Sequence, residues 1–339
     1  MGISHYLKDI GRGTKGARPL SREHAADLWR QLLDGRVSEL EVGAFCVAMR
    51  IKGETAEEMA GFLDATEQSL PAWPGGRLPA VILPSYNGAR KLPNLTALLA
   101  ALLARQGLPV LVHGSASEDL RIDTQAIWRE LQWPVLTQPG PLVPGQACWI
   151  PTQAFAPGLE KLLQVRRQIG LRNPAHSLVK LLDPLAGGQR DTPASLVVSS
   201  YTHPEYAQSM AATLALRQSS GLLLRGTEGE AVADLRRQPA MQVWLNGECG
   251  FAQESTPSHG QTTPPLPAGL DAASTAEYIQ AMLAGRIPVP DSITRQVSFI
   301  SVLHQAMDQR PAKALQALAQ NLLQISMQDL PQNPEKSHV

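Results

Sequence analysis

The chain changes periodicity at Pro71-Ala-Trp-Pro-Gly-Gly, and that change limits the fold more than any other feature. Two prolines and two glycines within six residues remove backbone donors and interrupt any regular element. Before the break, Ser21 to Leu70 carries helical signals only. Ser21 with Glu23 opens a helix that Asp34-Gly35 stops, Ser38 opens a second running to Arg50, and Thr55 with Glu58 opens a third running to Ser69. After the break, short β-type runs alternate with helical stretches: Val81-Ile-Leu, Val110-Leu-Val, Ala147-Cys-Trp-Ile, Leu196-Val-Val, Leu222-Leu-Leu and Met241-Gln-Val-Trp. Such alternation predicts an α/β domain whose mainly parallel sheet is covered by helices. The expected organisation is a small N-terminal helical domain, 1–70, and a large α/β domain, 71–157 and 186–330. A helical insert, 158–185, is expected to return to the N-terminal helices, Gln253 to Gly269 reads as a surface loop, and 331–339 as a frayed tail.

Thirty basic and thirty acidic residues balance over 339, so bulk charge supplies no attraction to nucleic acid or membrane. Charge is instead segregated along the chain. Met1 to Arg36 holds seven cations (Lys8, Arg12, Lys15, Arg18, Arg22, Arg30, Arg36) against four acids (Asp9, Glu23, Asp27, Asp34). Gly158 to Arg190 holds six (Lys161, Arg166, Arg167, Arg172, Lys180, Arg190) against two (Glu160, Asp183). Cys46, Cys148 and Cys249 share no metal-type spacing and read as buried small hydrophobes in a reducing compartment. No apolar run approaches a membrane span. A soluble cytoplasmic protein without a membrane partner, metal or cofactor is expected.

Leu83 to Thr96 joins a strand to a helix, the position at which α/β proteins cradle phosphates. Its composition departs from a cradle, since only Gly88 is free of a side chain, two prolines lack N–H groups, and Arg90 and Lys91 offer charge instead. Lys91, Asn94 and Thr96 in this loop, His113-Gly114 at the end of the next strand, and Arg225 after a later one are the candidate crevice and phosphate-binding residues. Gly11-Arg-Gly-Thr-Lys-Gly satisfies a dinucleotide pattern but lacks the preceding strand, and reads better as a flexible basic arm. Arg12, Lys15 and Arg18 there, with Lys161, Arg166, Arg167 and Arg172 of the insert, are the candidate nucleic-acid contacts. Glu228 and Glu230 are a candidate magnesium pair, but alternate residues in a loop need not converge on one ion, and pairing with Arg225 or the basic insert is the stronger expectation. No catalytic residue is assigned.

The order of segments resembles the anthranilate phosphoribosyltransferase superfamily, glycosyltransferase family 3, over almost the whole chain. The resemblance is carried by His113-Gly114, by Arg172-Asn-Pro-Ala-His-Ser-Leu-Val-Lys-Leu-Leu and by Tyr201-Thr-His-Pro-Glu. It implies a nucleoside phosphorylase/phosphoribosyltransferase-like fold. The family's Gly-Thr-Gly-Gly-Asp loop for phosphoribosyl pyrophosphate falls on Leu83-Pro-Ser-Tyr-Asn, its lysine before His-Gly on Val112, and its magnesium-binding Asp-Glu pair on Ala231-Val232. Without those carboxylates a diphosphate leaving group has no metal clamp, so anthranilate transfer is not expected. The basic Gly11-Arg-Gly arm, Lys91-Leu-Pro-Asn, Arg172-Asn-Pro-Ala-His-Ser and Arg225-Gly-Thr-Glu-Gly-Glu together look like the YbiB-type branch, whose members are dimers described as binding nucleic acid, DNA or RNA, with little sequence preference. The expected function is therefore a sequence-nonspecific nucleic-acid-binding homodimer, joined through Leu28, Leu32, Leu40, Phe45 and Met49 of the helical module. The alternative is a divergent glycosyltransferase using Lys91, Asn94, Thr96, His113 and Arg225 on a phosphorylated substrate.

Overall fold

The computed structural model describes residues 2–74, 78–116, 120–187, 195–257, 264–307 and 311–328. Arg190, the tail 331–339 and the middle of the Gln253 to Gly269 stretch lie outside the described residues.

The N-terminal module consists of α1 (Ser4–Ile10), α2 (Gly13–Gly16), α3 (Arg22–Leu33), α4 (Glu39–Lys52) and α5 (Ala56–Ser69). The last three begin at hydroxyl caps: Ser21 accepts from His24 N, while Ser38 with Glu41 and Thr55 with Glu58 close reciprocal capping boxes. Trp29 stacks on Phe62 with ring centroids 4.5 Å apart and donates its Nε1–H to Thr66 at 2.8 Å. Leu28, Leu32, Phe45 and Met49 are buried inside this bundle, so of the five apolar residues expected to spill over only Leu40 is exposed, at 83%. The basic segment around Gly11 is not a flexible arm. Ile3, Tyr6 and Ile10 form one buried helical face, Ile3 N donates to Glu41 Oε1 at 3.0 Å, and Arg12 Nε donates to the Lys8 carbonyl at 2.7 Å. Arg12, Lys15 and Arg18 themselves stay exposed.

The large domain is built on a seven-stranded sheet of β1 (Val81–Ser85), β2 (Val110–Gly114), β3 (Ala147–Pro151), β4 (Leu196–Tyr201), β5 (Gly221–Arg225), β7 (Met241–Leu245) and β8 (Glu248–Gln253), in the order β3-β2-β1-β4-β5-β7-β8. A short ribbon of β6 (Arg237–Gln238) and β9 (Thr256–Pro257) stands apart. The strands β3, β2, β1, β4 and β5 run parallel, and β7 and β8 are antiparallel additions. The last hairpin turns at Asn246-Gly247, both with positive φ (51° and 82°), as a two-residue turn requires. The strands β6, β8 and β9 add to the six runs read from the sequence, and β8 and β9 reach into the Gln253 to Gly269 stretch expected to be a surface loop.

Strand alternation assigns the two faces of the sheet. Val81, Leu83, Val110 and Val112 pack with α6 (Thr96–Arg105), α7 (Thr124–Glu130), α12 (Ala272–Leu283), α13 (Asp291–Met307) and α14 (Pro311–Gln328). Ile82, Leu111, Val197 and Leu223 pack in a second cluster with α8 (Thr152–Phe155), α9 (Pro157–Ile169), α10 (Ala175–Leu178), α11 (Pro204–Leu216) and the N-terminal module. The insert thus lies between the small module and the sheet. Arg217, after α11, ties α5 to the sheet side through ion pairs with Asp64 and Glu67. Of the cysteines, Cys46 is buried and Cys148 half-buried, but Cys249 is exposed on the edge strand β8.

Candidate functional site

Backbone amides, not side-chain cations, dominate the loop between β1 and α6. Asn87 N and Gly88 N donate to Glu230 Oε1 at 2.8 and 2.7 Å. Ser85 Oγ donates to Glu230 Oε2, and Thr96 Oγ1 lies 3.2 Å from the same oxygen. Arg90 N, Lys91 N and Leu92 N converge on Glu228 Oε1 at 3.1, 2.7 and 3.1 Å, while Arg121 faces Glu228 Oε2 at 3.6 Å. Five amides therefore hold two carboxylates that arrive from the turn after β5. Glu230 is fully buried. The expectation that Glu228 and Glu230 pair with Arg225 or the basic insert is corrected by this geometry: each satisfies most of its acceptor capacity on the β1 loop.

The turn itself is tightly constrained. Glu228 has φ +50° and Gly229 φ +93°, and a Cβ at Gly229 would sit 1.9 Å from Asn87 Nδ2. Asn87 Nδ2 donates to the Glu228 carbonyl at 3.0 Å, and Ser200 Oγ and Lys180 Nζ donate to the Gly229 carbonyl at 2.8 and 3.3 Å. On the far side of this turn lies a cavity of about 480 Å³ between the end of α4, the insert and the start of α11. Arg50, Arg172, His176 and Lys180 line it together with Glu54, Tyr201, His203, Glu205 and Tyr206. Burial pulls the Lys180 ammonium down to about 8, and the nearby Arg172 charge adds to this against the opposing pull of Glu230. Burial pushes the Glu54 carboxyl up.

The candidate crevice residues separate into three groups. Asn94 and Thr96 belong to the amide cradle: Asn94 Oδ1 accepts from Thr96 N and Oγ1, and its Nδ2 donates to Thr124 at 2.9 Å. Lys91 contributes its N–H while its side chain is exposed. His113 is sealed off, sharing a 2.7 Å hydrogen bond with Tyr86 Oη and lying edge-on to Phe155; burial lowers it to about 3, with the Leu182 backbone opposing. It is a neutral core residue, outside the cavity lining. Gly114 permits strand contact, since a Cβ there would meet the Ser85 carbonyl at 2.0 Å. Arg225 is exposed at the end of β5, outside the cavity lining.

The insert cations do not form one row. Lys161 and Arg167 are exposed on α9, Arg167 donating to the Ala116 carbonyl at 3.0 Å, whereas Arg166 is half-buried and Arg172 belongs to the cavity wall. The single acid of α9, Glu160, turns inward to Ser115 Oγ at 2.7 Å. Ala231 and Val232, where the resemblance puts metal ligands, are buried in the apolar core. Among the described residues no group of three or more His, Cys, Asp or Glu forms a metal centre. The residues present therefore do not fit a magnesium diphosphate: two positions are apolar and both nearby carboxylates are held by amides.

Likeness to known proteins agrees with this architecture. The helical bundle domain of the glycosyl transferase family matches residues 4–69. The structure of anthranilate phosphoribosyltransferase from Thermus thermophilus superposes on 95% of this chain and 97% of its own, with a TM-score of 0.69 at 22% identity. The Saccharomyces cerevisiae enzyme in complex with PRPP and Mg superposes on 95% of this chain and 94% of its own, with a TM-score of 0.64 at 14% identity. By sequence, the anthranilate phosphoribosyltransferase of Methanopyrus kandleri is 24% identical over 306 residues, 86% of each chain. The chain belongs to the anthranilate phosphoribosyltransferase-like superfamily. Within it, the chain is 38% identical over 305 residues to YbiB, an uncharacterized protein of Escherichia coli, covering 88% of this chain and 93% of that protein; it is a member of the YbiB family.

Proposed function

We propose that this protein is a nucleic-acid-binding homodimer that uses a transferase-like fold as a scaffold. The observation that carries this reading is the filled cradle: the amides that could meet a diphosphate leaving group are engaged by Glu228 and Glu230. Cations elsewhere remain suited to phosphodiester contacts. Arg12, Lys15 and Arg18 are exposed on the small module and Lys161 on α9, while Arg172 and Lys180 share a cavity wall with Tyr201 and Tyr206, a combination able to hold phosphates and stack bases. Two unrelated single-stranded oligonucleotides titrated over a salt series test it. Comparable affinities that fall as salt rises support the reading, and no binding to either at low salt removes it.

The dimer contact we assign is α4, with a correction to the residues. Its exposed stripe is Leu40, Val47 and Ile51, with Ala44 between them. Glu39 occupies the first turn and Arg50 the last, both exposed, so antiparallel pairing of two copies sets an acid against a base. Val47→Asp is expected to shift the light-scattering mass from dimer to monomer without loss of helix content. A wild type that is monomeric at micromolar concentration rejects the assignment.

A second reading, a divergent glycosyltransferase acting on a phosphorylated substrate, is favoured by one feature, the cavity of about 480 Å³ with Lys180 in its wall. Thermal shift separates the two: stabilisation by phosphoribosyl pyrophosphate with magnesium favours the enzyme, and stabilisation by oligonucleotides the binder.

A further inference from the structure

We propose that a proton-linked latch holds the small module on the sheet domain: Glu67, Asp183 and Arg217 close around one shared proton, and the contact loosens, opening the cavity beside it, when that proton leaves. Such a latch acts on the joint between the two domains and is independent of what the cavity binds.

The charges at this joint do not balance. Arg217 donates to Asp64 Oδ1, to Glu67 Oε2 at 2.5 Å and to the Ala60 carbonyl at 3.2 Å. Arg22 also meets Asp64, through Nε at 2.5 Å and Nη2 at 2.9 Å. Asp183, at the end of the insert, accepts from Leu185 N at 2.9 Å, and its charge is felt by both Glu67 and Arg217. Among the described residues, two guanidiniums therefore face three carboxylates; Glu57, which also faces Arg22, is exposed to solvent. The joint is largely dry, with the Arg217 side chain 13% and the Glu67 side chain 16% exposed, so the third carboxylate is most stable there as the neutral acid. Asp64 is not that acid, since despite its burial the Arg22 hydrogen bonds and the Arg217 charge hold it below the usual carboxylate range. Burial pushes Glu67 up to about 7, the Asp183 charge adding to this against Arg217, and pushes Asp183 up to about 6 against the Leu185 amide and Arg217. The proton belongs to this pair.

The latch lies at the far ends of the elements that wall the cavity. Thr55 and Met59 at the start of α5 line the cavity, and the same helix carries Glu67 further on. Glu205 and Tyr206 at the start of α11 line it too, and that helix runs out to Arg217. At 1.5 Å per residue each helix spans about 18 Å from cavity to latch. The insert does the same over a shorter distance, since Lys180 and Leu181 belong to the cavity wall and Asp183 follows directly. The two helices pack on one another, and the turn Pro184–Ala186 packs on α5, where Gly187 comes so close that a Cβ would lie 2.6 Å from the Leu70 Cβ. Loss of the shared proton leaves an unbalanced negative charge where all three meet. Repulsion there is carried along packed helices to the three walls of the cavity.

Hydrogen exchange read by mass spectrometry tests this on the full-length protein between about pH 6 and 8.5, with amide rates corrected for their intrinsic pH dependence. The closed form holds a proton that the open form, with its acids near their ordinary values, releases, so closure is strongest below the raised value of about 7 and weakens as pH passes it. Protection of 60–69 in α5 and of 208–217 in α11 is expected to fall about tenfold over this range in the wild type, and that of the cavity wall 172–181 to fall with it, while the strands 81–85 and 196–201 stay unchanged. Glu67→Gln and Asp183→Asn each leave two cations facing two acids and keep the shape of the side chain; each is expected to hold protection constant within about twofold. Protection that does not change with pH in the wild type overturns the latch. An equal fall in both variants also overturns it, because the change then belongs to another group such as Lys180. A fall at 60–69 and 208–217 with 172–181 unchanged overturns the coupling to the cavity. If one variant fails to fold the other decides by the same criterion. If neither folds, the wild type decides: a fall confined to latch and cavity segments supports the latch, and one shared by the strands overturns it.

Discussion

Glu58 and Glu230 are both fully buried and both satisfied by backbone N–H groups, yet they do opposite things to the chain around them. Glu58 accepts from Thr55 N at 3.0 Å and Leu20 N at 2.8 Å, and Lys52 Nζ lies 2.5 Å from its Oε2; it closes its own helix and pins the segment before α3. Glu230 closes nothing local. It crosses from the β5 turn to the β1 loop and takes the donors of a position where α/β folds seat ligands. A buried carboxylate with several N–H partners is thus a cap on its own helix in one region and a tie between distant elements in another. What distinguishes them is the fate of the donors when the carboxylate is removed.

The largest expected effect follows from that difference. Glu230→Ala leaves the buried Asn87 and Gly88 amides without their acceptor, and is expected to cost about 4 kcal/mol in urea unfolding. Glu58→Ala is expected to cost about 3 kcal/mol, less because Lys52 Nζ keeps the Gly53 carbonyl at 3.0 Å and the half-buried Thr55 N can be hydrated. Urea unfolding of the two variants side by side measures both losses, and equal losses would erase the distinction.

The same contrast explains what the sequence disclosed. Thr55 and Glu58 are three residues apart, so a capping box is legible as a motif, and the three helix starts at Ser21, Ser38 and Thr55 could be read directly. The β-type runs were equally legible because alternation and β-branched content are local. The pairing of Glu230 with Asn87 spans 143 residues and needs the sheet order before it can be seen. Two prolines and a single glycine in Leu83 to Thr96 suggested that backbone cradling had given way to the charges of Arg90 and Lys91. The loop nevertheless turns the amides of those same two residues inward and leaves both side chains exposed. Composition counts available N–H groups but cannot say where they point. Two further features are local and carried by the sequence itself: Asn246-Gly247, which marks the β7–β8 hairpin, and the spacing of Ile3, Tyr6 and Ile10, which folds the N-terminal segment.

His113 offers a smaller effect and a different kind of buried polar group, one kept neutral by its surroundings. The unfolded chain protonates this imidazole near its ordinary value, while burial holds the folded form at about 3. Its folded pKa is depressed, so the associated stability is complete above the unfolded pKa and is lost as pH falls toward 3. Against His113→Asn, which cannot titrate, the wild-type advantage is expected to shrink by about 1.4 kcal/mol per pH unit between about pH 6 and 4. Urea unfolding of both proteins over that range measures it. A constant difference would mean that the ring takes its proton without unfolding, and would return His113 to the list of residues able to act in a crevice.

The smallest effect concerns side-chain cations, the counterpart to the amide cradle. Amides at Asn87 and Gly88 act at fixed positions and are already engaged, whereas Lys161 and Arg167 lie on the exposed face of α9 while its one acid turns toward Ser115. If these two cations meet phosphates, each displaces condensed counterions, and affinity depends on salt through their number rather than through base identity. Lys161→Ala with Arg167→Ala is therefore expected to weaken two unrelated oligonucleotides about equally and to reduce the slope of log affinity against log salt by about 1–2 units. Arg167 also holds the Ala116 carbonyl, so a fall in melting temperature alone reports that structural contact. An unchanged slope with unchanged affinity removes α9 from the nucleic-acid face and leaves Arg172 and Lys180 of the cavity, with the exposed Arg12, Lys15 and Arg18, as the cations to be tested next.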